Sequence, residues 1–250
     1  MLSSTPAPTP FSLAGKRILV TGAAGGIGLA VVRLAMSMGA QVVAADRAGA
    51  PFPAELAGSV HPFDLADVSA TESAVAALTA EGPLDALIHT AAVLRRTSDL
   101  DAVTEEDWDI QHDVNLKGTF FLTRAVANSM RGRGGSIVAF SSQGWWTGGF
   151  GGSAVYNASK GGIVTLVRGL ARTYAADGVR INAVAPGAVD TAMMRDGLDD
   201  AFRAQFISQI PLGRMADPSE VAAAALFLAT DAASYMTGAT LNVSGGQLMY

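Results

Sequence analysis

Short strand-like runs with little alternation are separated by longer segments of helical spacing from Lys16 to the end of the chain, and this rhythm restricts the fold more than any other feature. The runs Lys16–Val20, Gln41–Asp46, His61–Asp64, Ala86–His89, Ser136–Phe140, Arg180–Ala185 and Ala239–Val243 read as strands. Between them Gly26–Met38, Ser69–Thr79, Thr104–Met130, Ala154–Ala176 and Pro218–Thr230 read as helices, the third as one long helix or two shorter ones. Strands with little alternation of apolar and polar residues, separated by helices, imply a parallel sheet covered by helices on each side. Right-handed crossovers then give an α/β, Rossmann-type, doubly wound sheet of about seven strands. Half of the 250 residues are apolar, enough for one large core, and no linker or repeat divides the chain after residue 12. Residues 13–250 are therefore expected to form a single domain, and residues 1–12, rich in proline, a mobile tail.

The turn after the first strand reads Thr21-Gly22-Ala23-Ala24-Gly25-Gly26-Ile27-Gly28. Glycine lets a backbone turn tightly and approach a phosphate, and the helix that follows offers unpaired N–H groups and a partial positive charge. Gly22, Gly25, Gly26, Ile27 and Gly28 are thus candidates to cradle a dinucleotide pyrophosphate. Asp46 closes the second strand, where a carboxylate accepts hydrogen bonds from the adenosine ribose and repels a 2′-phosphate. That selects NAD over NADP, although Arg47 beside it has the chemistry to hold a phosphate.

A second constellation bears on proton transfer. Tyr156 and Lys160 are spaced to share one face of a helix. A phenol, with an ordinary pKa of about 10, is a poor base unless a neighbouring cation favours the phenolate. Ser142 is the candidate to hold the substrate oxygen, with Ser141 as its competitor.

With Asp64-Leu65, Val114-Asn115, Ser141-Ser142, Pro186-Gly187, Thr191 and the closing Ser244-Gly245-Gly246, these motifs make the chain resemble a classical short-chain dehydrogenase/reductase over residues 13–249. The resemblance implies a catalytic set of Asn115, Ser142, Tyr156 and Lys160, in which Asn115 holds a water in a proton relay through the lysine. It also implies that Asp64 meets the adenine with Leu65 beside it, and that the Pro186-Gly187 turn brings Val189 and Thr191 to the nicotinamide carboxamide. A homotetramer built from the long helices and the last strand is a further implication, as is a lid near residues 190–212, where Phe202, Phe206 and Ile210 fall on one stripe.

Two departures from the family pattern stand out. His89-Thr90-Ala91-Ala92 replaces the usual Asn-Asn-Ala-Gly. Thr90 keeps a hydrogen-bonding hydroxyl, Ala92 cannot adopt glycine-only angles, and His89 reads as a structural residue at the strand end. One extra residue also separates Ser142 from Tyr156, within the glycine-rich stretch Gly144–Ser153. For the substrate, Trp145, Trp146 and Met193 are expected to wall the pocket, and Arg95, followed by Arg96, to offer a guanidinium to an acid group.

The expected activity is hydride transfer between NAD and a secondary alcohol or ketone: a small hydroxy compound, polyol, sugar or hydroxy acid. The alternatives are an NADPH-dependent 3-oxoacyl-type ketoreductase and a non-catalytic NAD-binding sensor or scaffold. Enoyl reductases of the family space the tyrosine and lysine more widely. The net charge of -5 gives no case for nucleic acid or an anionic membrane, and no apolar run is long enough to span one. The absence of cysteine excludes disulfides and thiolate metal sites and suits a cytoplasmic protein; no metal is expected.

Overall fold

The structure is a computed structural model, and it describes residues 9–56, 60–196 and 200–250. The alternation of runs becomes β1 (Arg17–Thr21), α1 (Gly26–Ser37), β2 (Gln41–Asp46), β3 (Val60–Pro62), α2 (Val68–Glu81) and β4 (Ala86–His89) in the first half. The chain continues through α3 (Glu105–His112), α4 (Thr119–Ser129), β5 (Gly135–Phe140), α5 (Gly144–Thr147) and α6 (Ala154–Tyr174). It closes with β6 (Val179–Pro186), α7 (Ala192–Arg195), α8 (Asp200–Ser208), α9 (Pro218–Ala229) and β7 (Thr240–Val243). The strands form one seven-stranded sheet in the order β3-β2-β1-β4-β5-β6-β7, and every pairing is parallel.

Alternate strand residues serve opposite faces. Leu19, Leu87, Ile137, Ala139, Ile181 and Ala183 pack with Val75 and Leu78 of α2, Leu122 and Val126 of α4, and Ile163 and Val167 of α6. Ile18, Val20, Ile88, Val138 and Val184 pack on the other side with Val31 and Val32 of α1 and with Val221 and Leu226 of α9. This two-sided burial is why the middle of the central strands is apolar at successive positions, as in Ile18-Leu19-Val20 and Leu87-Ile88. Helix ends are set by side chains: Asp67 caps α2, and Thr104 with Asp107 and Asp217 with Glu220 form capping boxes on α3 and α9.

The stretch expected as one long helix or two is a single helical run interrupted by a π-helical turn, Asp113–Gly118. A wider turn inside an α-helix changes the direction of the side chains that follow it. Gly118 is required here, because a Cβ would lie 2.7 Å from the carbonyl oxygen of Leu65. Of the segment expected as a mobile tail, residues 1–8 lie outside the described residues, while the Pro10 carbonyl accepts a 2.8 Å hydrogen bond from the Ala232 amide. No helix among the described residues is long and apolar enough to cross a membrane.

Strand order reverses between β1 and β4. In such sheets a crevice opens beyond the carboxyl ends of the strands at that reversal. Here a cleft of about 1130 Å³ runs past the ends of β1, β2, β4, β5 and β6.

Candidate active site

Thr21 ends β1, and the chain turns through Gly22 (φ 71°) and Gly26 (φ 52°) into α1. At Gly22 an added Cβ would meet the backbone nitrogen of Ala91 at 2.7 Å, and at Gly28 the carbonyl oxygen of Gly22 at 2.0 Å. Those two glycines let the β1 turn, the start of α1 and the end of β4 close up on one another. Gly25 has a different place. It is the N-cap of α1, no side chain caps the helix, and a Cβ on it would meet no protein atom. The first N–H groups of α1 therefore have no helical partner, and Gly25, Gly26, Ile27 and Gly28 border the cleft. An uncapped helix start beside open space fits a pyrophosphate.

Asp46 sits on the same cleft at the end of β2. Its Oδ2 accepts from the Ala24 amide at 3.0 Å and its Oδ1 from the Arg47 amide at 2.8 Å. The carboxylate is thus locked to the glycine turn. Arg47 is exposed at the rim. Asp64, Leu65, Thr90, Ala91 and Ala92 line the next stretch, followed by Pro186, Gly187, Val189 and Thr191. Thr191 also caps α7 through the Met194 amide, at 3.3 Å. Ala92 needs no glycine geometry, since no non-glycine residue described has a positive φ.

His89 and Thr90 tie β4 to its neighbours. Thr90 Oγ1 donates to the Thr21 carbonyl at 2.7 Å. His89 is buried between Thr21 Oγ1, 2.6 Å from Nδ1, and Thr119 Oγ1, 2.8 Å from Nε2. Thr119 spends its only hydroxyl proton on the Asn115 carbonyl at 2.6 Å. Its oxygen must therefore accept from His89, which assigns the proton to Nε2 and leaves Nδ1 to accept from Thr21. Burial, followed by the charge of Lys160, lowers the His89 pKa to about 3. His89 is a neutral strut, as its position at the strand end implied.

Asn115 projects from the π-helical turn and is wholly buried. Its Oδ1 accepts from the Val93 amide at 2.8 Å, and its Nδ2 donates to the Val93 carbonyl at 2.9 Å and to Ser159 Oγ at 3.1 Å. The amide side chain clamps the segment after β4 to α6, close behind the cleft rather than on its surface.

The candidate proton-transfer group stands at the start of α6. Lys160 is buried, and its Nζ donates to the Phe140 carbonyl at 2.8 Å while lying 5.6 Å from the centroid of the Tyr156 ring. Burial lowers its pKa to about 7. The Tyr156 phenol is pushed up to about 12 by burial, against the pull of the Arg96 guanidinium. The two adjacent serines separate cleanly. Ser141 is buried, with its hydroxyl donating to the Lys160 carbonyl at 2.8 Å. Ser142 Oγ accepts from the Gly144 amide at 3.1 Å and retains its own proton for a ligand. Both serines border the cleft with Tyr156 and Lys160.

At the substrate end the expectation for the two tryptophans is corrected. Trp145 and Trp146 do not line the cleft; Trp145 packs edge-on against Trp146 at 5.2 Å and against Tyr250 at 5.6 Å, and Trp146 lies tilted on Tyr250 at 6.1 Å between centroids. The short α5 turns them toward the chain end. The aromatic wall is instead Phe150 against Phe206, 5.7 Å apart, beside Met193 and Met194. Arg95 borders the cleft, but its guanidinium pairs outward with Asp107 at 3.0 Å and Glu106 at 3.2 Å. Of the lid stripe, Phe206 and Ile210 pack on Ala188, and the side chain of Phe202 lies outside the described residues.

The family model described as enoyl-(acyl carrier protein) reductase matches residues 22–247. Among curated proteins, the chain is 37% identical over 242 residues to the 3-oxoacyl-(acyl-carrier-protein) reductase FabG of Escherichia coli, covering 94% of this chain and 98% of that one. It is 35% identical over 235 residues to the acetoacetyl-CoA reductase of Shinella zoogloeoides, covering 92% and 97%. Among solved structures, a protein from Beutenbergia cavernae described as a gluconate 5-dehydrogenase with bound NADP superposes with a TM-score of 0.87 at 35% identity, covering 96% of this chain and 99% of that one. A short-chain type dehydrogenase/reductase from Mycobacterium marinum gives 0.88 at 30% identity, covering 96% and 98%.

Proposed function

The chain belongs to the short-chain dehydrogenase/reductase family, whose members act on alcohol and keto groups, and on that premise we propose that it interconverts a secondary alcohol and a ketone with NAD as hydride carrier. The observation that carries the reading is the meeting of Ser142, Tyr156 and Lys160 in the cleft that also holds the uncapped start of α1 and Asp46. A dinucleotide, when bound, supplies the hydride acceptor and, in its oxidised form, a positively charged ring. In alcohol oxidation the carbinol C–H bond breaks with its electron pair, the hydroxyl proton passes to Tyr156 Oη, and the C=O bond forms. Ser142 Oγ donates to the same oxygen and so fixes its position. In the reduction direction Tyr156 is the acid, and its phenol form is the one that burial favours. Oxidation needs the phenolate, which the charges of Lys160 and Arg96 stabilise.

The reading favours NAD because of the Asp46 carboxylate, held by two backbone amides at the end of β2, since a carboxylate at that strand end repels a 2′-phosphate. The second reading, an NADPH-dependent 3-oxoacyl-type ketoreductase, is favoured by the FabG relatives, by the NADP carried by the Beutenbergia cavernae structure, and by Arg47 at the rim. The short Tyr156-to-Lys160 spacing argues against enoyl reduction, and the complete proton-transfer set against a purely sensory role. Assembly as a homotetramer in the cytoplasm belongs to the same proposal. It is supported by an apolar groove on the outer side of α4 and α6, lined by Phe120, Phe121 and Leu166. Initial rates with a panel of secondary alcohols and ketones, run separately with NAD(H) and NADP(H), test the reading. Turnover with NAD(H) in preference is the expected result, and no turnover with either cofactor contradicts it.

A further inference from the structure

The cleft holds four cationic side chains among the described residues: Arg47, Arg95, Arg96 and Lys160. Arg47 lies beside Asp46 at the adenosine end. Arg95 is paired outward with Asp107 and Glu106. Lys160 donates to the Phe140 carbonyl beneath the Tyr156 ring. Arg96 is the remaining one, and its situation differs from theirs. Its Nε is buried without a hydrogen-bond partner. The guanidinium is close enough to Tyr156 for each to shift the other's titration, and Asp196, from the lid, is the carboxylate whose charge reaches it.

The backbone on both sides of Arg96 is fixed. The Arg95 amide donates to Gln111 Oε1 at 3.1 Å, and the Thr97 amide donates to the Gly152 carbonyl at 2.9 Å. Gly152 (φ 73°) packs so closely on Thr97 that a Cβ would lie 2.5 Å from its carbonyl carbon. This contact joins the Arg96 segment to the loop that carries Ser142 toward Tyr156. Arg95 is thereby turned to solvent and its neighbour Arg96 to the reacting groups. The surrounding wall is apolar, with Phe150, Phe206, Met193 and Met194. A half-buried guanidinium that makes no hydrogen bond is costly unless an anion in the cleft pairs with its terminal nitrogens. A planar carboxylate is the group whose geometry matches it.

We infer that Arg96 is a specificity-determining residue, and that the substrate is a hydroxy acid or oxo acid whose carboxylate it holds while Tyr156 and Ser142 hold the reacting oxygen. This rests on the hydride-transfer reading above. It goes further in naming the charge of the substrate and the residue that selects it.

The test compares short hydroxy acids with their methyl esters as substrates for the wild-type enzyme and for Arg96→Met and Arg96→Lys. The expected result is a wild-type preference for the acid in kcat/KM. That preference should collapse on the order of 10–100-fold in Arg96→Met, mainly through KM, with partial recovery in Arg96→Lys. Esters used as well as acids, or an equal loss on acid and ester in Arg96→Met, would overturn the inference, the latter because it would mean that Arg96 acts only through Tyr156. Binding is read separately, by the change in fluorescence of enzyme-bound NADH when each acid is added. Acids that bind in an Arg96-dependent way without being oxidised would uphold the anchor and contradict hydride transfer. Oxidation of neutral alcohols with no binding of acids would do the reverse.

Discussion

Lys160 stands beneath the ring of Tyr156, its Nζ 5.6 Å from the ring centroid and bonded at 2.8 Å to the carbonyl of Phe140. The ammonium is thus fixed near the phenol by the last residue of β5, the strand that also delivers Ser142. One strand end and one helical turn between them set the geometry of the proposed proton transfer.

Removing that cation should raise the Tyr156 pKa, because a nearby positive charge favours the phenolate. Alcohol oxidation needs the phenolate, so its rate falls as pH drops through this pKa. In Lys160→Met the acid limb of the pH–rate profile should therefore move to higher pH, with kcat at neutral pH lower by roughly 10²-fold or more. Profiles of the two enzymes that coincide in shape would remove Lys160 from the proton-transfer account.

Asp46 accepts from Ala24 and Arg47 and so presents a fixed negative charge. Replacing it by serine keeps a hydrogen-bonding group and removes the repulsion of a 2′-phosphate. The ratio of kcat/KM for NADP over NAD should rise on the order of 10–100-fold in Asp46→Ser. An unchanged ratio would mean that cofactor choice is made elsewhere, with Arg47 the first residue to examine.

His89 makes acid stability a separate test. Its pKa is lowered from 6.5 to about 3, so between those values the unfolded chain binds a proton that the folded chain does not. Stability must then fall as pH falls through that window, by about 1.4 kcal/mol per pH unit from this group alone. Urea midpoints measured from neutral pH downward should fall less steeply for His89→Asn than for the wild type. Parallel slopes would show that His89 is protonated in the folded protein.

Much of this was legible in the residue order, because sheet and helix periodicities report directly on burial. The parallel sheet follows from apolar runs such as Leu19–Val20 and Leu87–Ile88, whose successive residues serve opposite cores. The pairing of Tyr156 with Lys160 follows from helical spacing. Loop residues are different, since no period fixes where their side chains point. Arg95 and Arg96 are equivalent as letters; only the bonds of their backbone to Gln111 and Gly152 decide which one pairs with Asp107 and Glu106 and which is left facing Tyr156. Trp145 and Trp146 read as a pocket wall, yet Tyr250, distant in sequence, draws them away, and Phe150 takes that place. The π-helical turn that aims Asn115 at Val93 leaves no mark in a pattern of apolar residues. No period marks Ser142 over Ser141 either, because β5 is buried at successive positions; the bond of Ser141 to the Lys160 carbonyl is what separates the two.

In the proposed reaction Tyr156 moves the proton while other residues hold the dinucleotide. The direct measurement is Tyr156→Phe, with NADH binding followed by fluorescence and hydride transfer followed in a single turnover with a substrate of the wild-type enzyme. Binding should remain within a few fold and the single-turnover rate should fall by roughly 10²–10⁴-fold. A variant that binds NADH and transfers hydride at the wild-type rate would contradict the account.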